Sequence, residues 1–89
     1  MFRVADVYRQ EYRILLEQLR QARKTAGLTQ TEVANRLGRT QGYVNKIEAG
    51  ERRLDVVQLR DFCRALGTDF MEFMYSYNEA VESAFMVPD

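Results

Sequence analysis

Between Gln30 and Arg53 the chain gathers side chains suited to hydrogen bonding and to holding negative charge: Gln30, Arg39, Thr40, Gln41, Tyr43, Asn45, Lys46, Arg52 and Arg53. Amides donate and accept at once, hydroxyls do either, and Lys and Arg only donate. Such groups bind base edges and phosphates by contact alone, without breaking a covalent bond. Catalytic chemistry is poorly supplied. The 89 residues contain no His and one Cys, no Gly-rich phosphate loop, and carboxylates scattered over helix surfaces, so neither an acid–base pair nor a metal set assembles at the usual spacings. We therefore expect no enzyme, no metal and no cofactor.

The formal net charge is zero, but charge acts locally. Residues 20–53 hold eight basic and three acidic side chains, a net of +5, residues 1–19 balance, and residues 54–89 carry two basic against seven acidic, a net of −5. The basic third coincides with the polar cluster. A composition 46% hydrophobic and 29% charged, with one Pro, is that of a soluble helix-rich globule. At this length it encloses one core, so residues 1–89 are read as a single domain. The longest apolar run, Ala84 to Val87, is far short of a bilayer span. Met1–Asp6 lacks the apolar run of a secretory leader, and a lone Cys63 suits a reducing cytoplasm.

The elements that must position the polar cluster are helices. Tyr8, Tyr12, Leu15, Leu19, Ala22 and Ala26 recur at spacings of four and three, predicting a first helix from about Asp6 to Ala26, closed by Gly27. Thr29-Gln30-Thr31-Glu32 has the form of a capping box, so a second helix starts at Gln30, turns Val33, Ala34 and Leu37 inward and stops at Gly38. Thr40 caps a third, with Val44 and Ile47 inward, ended by Gly50. Asp55 with Gln58 opens a fourth, whose apolar face is Val57, Leu59, Phe62, Cys63 and Leu66. Asp69 with Glu72 opens a fifth, running through Phe70, Phe73, Met74, Tyr77, Val81 and Phe85 to Pro88. No run alternates as a strand does. The second and third helices, joined by Gly38-Arg39-Thr40, form a helix-turn-helix, in which the small Ala34 permits close crossing. Gln41, Gly42, Tyr43, Asn45 and Lys46 are left on the outside of the third helix, exposed to a nucleic-acid partner.

From about Leu15 to Met74 the chain resembles the Cro and lambda-repressor-like helix-turn-helix family, also called the XRE family. The likeness rests on Arg23 to Gln30, then Glu32-Val33-Ala34, Leu37-Gly38, Thr40-Gln41, Val44, Lys46-Ile47-Glu48, Gly50 and Leu66-Gly67. It implies an all-α, five-helix lambda-repressor-like bundle, a family-like core of residues 15–74 and a helical extension over 75–89. It also implies binding to double-stranded DNA, with Gln30 holding a phosphate and bracing Gln41, which enters the major groove. Tyr43, Asn45 and Lys46 match positions that contact bases or backbone, Arg52 and Arg53 a loop that meets phosphates, and Arg23 with Glu48 a structural brace. Gly42 departs from the family, standing where Ser, Gln or Pro is common and removing a base contact.

For Arg36 and Arg39, phosphate contact and a solvated surface are equally open. The tail beyond Met74 needs an apolar cover. A homodimer interface through Tyr77, Val81 and Phe85 is the preferred reading, and folding back onto the first helix is the alternative. A transcriptional regulator, most simply a repressor, is the expected function. The competing expectation is an antitoxin or protein-interaction adaptor built on the same fold.

Overall fold

Capping residues set where the helices begin. In the computed structural model, which describes residues 4–85 with side chains from residue 9 onward, five helices are present: α1 (Val4–Thr25), α2 (Gln30–Leu37), α3 (Gln41–Glu48), α4 (Val56–Leu66) and α5 (Phe70–Phe85). The Thr29 hydroxyl accepts the Glu32 N–H at 3.1 Å while the Glu32 carboxylate accepts the Thr29 N–H at 3.0 Å, the reciprocal box expected at α2. Asp55 and Gln58 make the same exchange at α4, at 2.8 and 2.9 Å. Thr40 caps α3, and Asp69 accepts the Glu72 N–H in the first turn of α5.

No strand occurs among the described residues, and the fold is the all-α bundle expected. Helix α2 packs on α3 and α4, α1 packs on α3 and α5, and α4 meets α5. Leu19, Val33, Val44, Ile47, Phe62 and Cys63 are sealed at the centre. Gly50 closes the turn after α3 at a φ of 79°, which favours glycine, and a Cβ there would also press on Leu16 Cδ1 at 3.3 Å.

Four details differ from expectation. The first helix starts at Val4 and ends at Thr25, leaving Ala26 exposed beyond it, and Leu16 rather than Ala26 is a buried member of its inner face. Val57 is 66% exposed, because at roughly 100° per residue it lies on the side of α4 opposite Leu59. Ala65 joins the core instead. Helix α3 ends at Glu48, with Ala49 as its cap and Gly50 just beyond. Tyr8's side chain and Pro88 lie outside the described residues. No helix among the described residues is long and apolar enough to cross a membrane.

Candidate nucleic-acid interface

A buried carboxylate organises the polar cluster. Glu48, at the end of α3, is 4% exposed and receives Arg23 of α1 twice, Nε to Oε2 at 2.7 Å and a terminal nitrogen to Oε1 at 3.1 Å. Arg23 also donates to the Leu28 carbonyl at 3.0 Å, tying α1 to the turn before α2. Arg20, half exposed, adds a second guanidinium 3.7 Å from Glu48. A carboxylate paired with guanidinium can only accept, so the Gln30 amide turns its nitrogen toward Glu48, at 3.1 Å. The Gln30 oxygen consequently faces α3, where it accepts Gln41 Nε2 at 2.8 Å and Asn45 Nδ2 at 3.3 Å. Gln41 and Asn45 each keep a carbonyl oxygen and one N–H for an outside partner.

At about 100° per residue, Gly42, Asn45 and Lys46 form one outer strip of α3, continued by its cap Ala49, and all four are exposed while Val44 and Ile47 are buried. Gln41 sits on the flank toward α2. Tyr43 sits on the opposite flank, half-buried, with its ring stacked on Phe62 of α4 at a centroid distance of 6.3 Å and 19° between planes. A side chain at Gly42 would meet nothing nearer than Thr40 Oγ1 at 3.8 Å, and its φ is not positive, so neither space nor backbone demands this glycine.

The arginines divide by neighbour. Arg39 and Arg52 lie over the Tyr43 ring, 5.0 and 4.9 Å from its centroid, and Arg53 lies 5.0 Å from the centroid of Tyr12. The Tyr12 hydroxyl accepts the Leu54 N–H at 3.1 Å, which anchors the loop to α1. Arg36 donates to the Ala65 carbonyl at 2.8 Å, in the last turn of α4. Of its two open readings, surface charge or phosphate contact, neither describes that bond: Arg36 ties α2 to the end of α4. Glu32's carboxyl is held below its ordinary range by the backbone N–H and hydroxyl of Thr29.

The model of the helix-turn-helix domain family matches residues 14–72. The chain belongs to that family. Among solved structures, this helix-turn-helix protein is similar to an XRE-family like protein from Pseudomonas syringae, 43% identical, with a TM-score of 0.81 over 85% of this chain and 93% of the other. Among curated proteins it is similar to y4dJ, an uncharacterised HTH-type transcriptional regulator of Sinorhizobium fredii, 37% identical over 64% of this chain and 74% of that protein. The clp gene regulator ClgR of Corynebacterium glutamicum shares the fold, with a TM-score of 0.72 at 23% identity over 83% of this chain and 79% of the other. The XRE-like resemblance read from the sequence therefore stands.

Within the helix-turn-helix, the structure joins Gln30, Gln41 and Asn45 in one hydrogen-bonded set, with the expected Arg23–Glu48 brace behind it. Lys46 is exposed on the outer strip, and Thr40's hydroxyl is engaged by the Tyr43 N–H at 3.1 Å. Arg39, Tyr43 and Arg52 form a separate group on the α4 flank. Tyr77, Val81 and Phe85 belong to α5, which folds back onto α1, and each is half-buried within the single chain. Arg20 and Arg36 contribute braces that their spacing did not announce, since a long cation on a helix surface carries no mark of the carbonyl or carboxylate it will reach.

Proposed function

We propose that the chain binds double-stranded DNA as a transcriptional regulator, laying the outer strip of α3 in the major groove and repressing by occupancy. The observation that carries this is the amide set. Gln30 holds Gln41 and Asn45 in one orientation on an exposed, basic face, so hydrogen-bonding groups that read base edges are pre-ordered before any partner arrives. Exposed Lys46 lies on the same strip, and exposed Arg39, Arg52 and Arg53 before and after α3 add positive charge, which phosphate contact requires. The names of the curated and solved relatives, a transcriptional regulator and an XRE-family like protein, support the same reading.

Footprinting on the DNA upstream of its own gene is the direct test. Gln41→Ala and Lys46→Ala should each weaken protection, and protection indifferent to both would reject α3 as the reading element. We further propose a cytoplasmic homodimer reading two half-sites about 34 Å apart, closed through Tyr77, Val81 and Phe85, whose half-burial leaves apolar surface for a second copy. Sedimentation at several concentrations should show a dimer that Val81→Asp dissociates. A second reading, a protein-interaction adaptor, draws on Met71 and Tyr75, which are 71% and 68% exposed on α5.

A further inference from the structure

We propose that Tyr43 is a positioning residue that reads no base: its ring holds Arg39 and Arg52 as a two-arginine clamp for backbone phosphate, on the wall of the groove opposite Gln30. The inference rests on the groove-binding reading above and deepens it. Both guanidinium carbons lie about one ring-contact distance from the same centroid, at 5.0 and 4.9 Å, although one arginine precedes α3 and the other follows it. Like charges do not gather without a cause. Among the described residues neither guanidinium is in an ion pair, and Asp61, which lines the hollow between α3 and α4 beside Arg39, stays outside pairing distance. What holds them is the negative face of the tyrosine ring.

The ring is itself fixed. Phe62, 2% exposed, stacks against it, and the loop carrying Arg52 is tied to α3 by the Glu51 and Arg52 N–H groups, which share the Lys46 carbonyl at 2.9 and 3.2 Å. Tyr43 also lies on the flank of α3 that turns toward α4, away from the outer strip of Gly42, Asn45 and Lys46. A helix in the major groove meets bases with its outer strip and the two sugar-phosphate walls with its flanks. One flank carries Gln41 against Gln30 of α2, and the other presents two guanidiniums, in no ion pair among the described residues, already gathered on a ring.

The test measures affinity for a mixed-sequence duplex across a salt series, so that only backbone contacts count. Tyr43→Leu, which keeps an apolar contact with Phe62, should weaken binding about tenfold and reduce the salt slope by about as much as the double variant Arg39→Ala/Arg52→Ala, roughly one to two on the 0.9-per-phosphate scale. Tyr43→Phe, which keeps the ring face, should restore wild-type behaviour. In the double-arginine background Tyr43→Leu should add nothing. An undiminished loss there, or a change in the bases selected from random DNA with the slope intact, overturns the clamp. Should Tyr43→Leu fail to fold, the Nε–H signals of Arg39 and Arg52 in the wild-type protein serve instead: they should shift on adding duplex and return with salt, and fixed signals reject the proposal. Wild-type protein that ignores the duplex altogether rejects groove binding itself, whereas binding with an unaltered slope in Tyr43→Leu rejects only the clamp.

Discussion

At the scale of single residues, Glu48 sets the hydrogen-bonding polarity of the Gln30, Gln41 and Asn45 amides although it is itself buried. Under the proposed function, Gln41 and Asn45 present an acceptor and a donor, the pattern that matches N6–H and N7 of adenine and clashes with the two acceptors of guanine. Glu48→Gln supplies a donor where there was none, which allows Gln30 to reverse and Gln41 and Asn45 to turn both N–H groups outward. Selection from random DNA should then show sites whose adenine preference broadens to admit guanine; an unchanged preference would show that the polarity is set elsewhere. Glu48→Ala should cost about 3 kcal/mol in denaturant unfolding, since it strands Arg23 in a partly buried place. The spacing of Arg23, Gln30, Gln41 and Glu48 made the brace legible in sequence through its family likeness. The joining of Asn45 to the same Gln30 oxygen was not, because it depends on the angle at which α2 crosses α3.

At the scale of elements, what the sequence made plain was the caps. Thr29, Thr40 and Asp55 begin helices where expected because a side-chain oxygen that accepts the backbone N–H three residues later is a purely local device. Inward and outward faces were less secure. Val57 is apolar but helical geometry puts it opposite Leu59, and Leu16 is buried although it falls outside the spacing of Leu15, Leu19 and Ala22. Gly42 is an element-scale weakness of another kind. With no positive φ and no crowding to justify it, glycine in an eight-residue helix costs about 0.5–1 kcal/mol relative to alanine. Gly42→Ala should therefore raise the midpoint of thermal unfolding. If it also weakens DNA binding by more than a few-fold, the glycine is there to let the α3 backbone approach the groove, and if binding holds, the position is free for a reader to be added.

At the scale of the whole molecule, the charge asymmetry maps onto the fold: the basic third runs from the end of α1 through α2 and α3 to the loop after them, and most of the acidic third is α4 and α5. That α5 packs on α1 could not be read from its periodicity, since an apolar stripe shows that a face is covered without showing by what. Phe73 is buried within the single chain, and Tyr77, Val81 and Phe85 are half-buried there, so α5 serves the monomer whatever a second copy adds. The single cysteine offers a measure of how the molecule opens. Cys63 is 1% exposed, and burial, with Asp69 nearby, pushes its thiol up to about 11 from 9.0. The unfolded chain loses this proton first, so the contribution to stability is intact below about pH 9 and is lost as pH rises toward 11; Cys63→Ala should flatten the decline. At pH 8 a thiol reagent should therefore modify Cys63 only through opening of the core. If opening is global, labelling should slow in proportion to stability in Gly42→Ala, and a duplex at a hundred times its Kd should slow it about a hundredfold. Labelling indifferent to a duplex that demonstrably binds would mean that α4 and α5 part from each other without disturbing α3, dividing the bundle into two units that unfold separately.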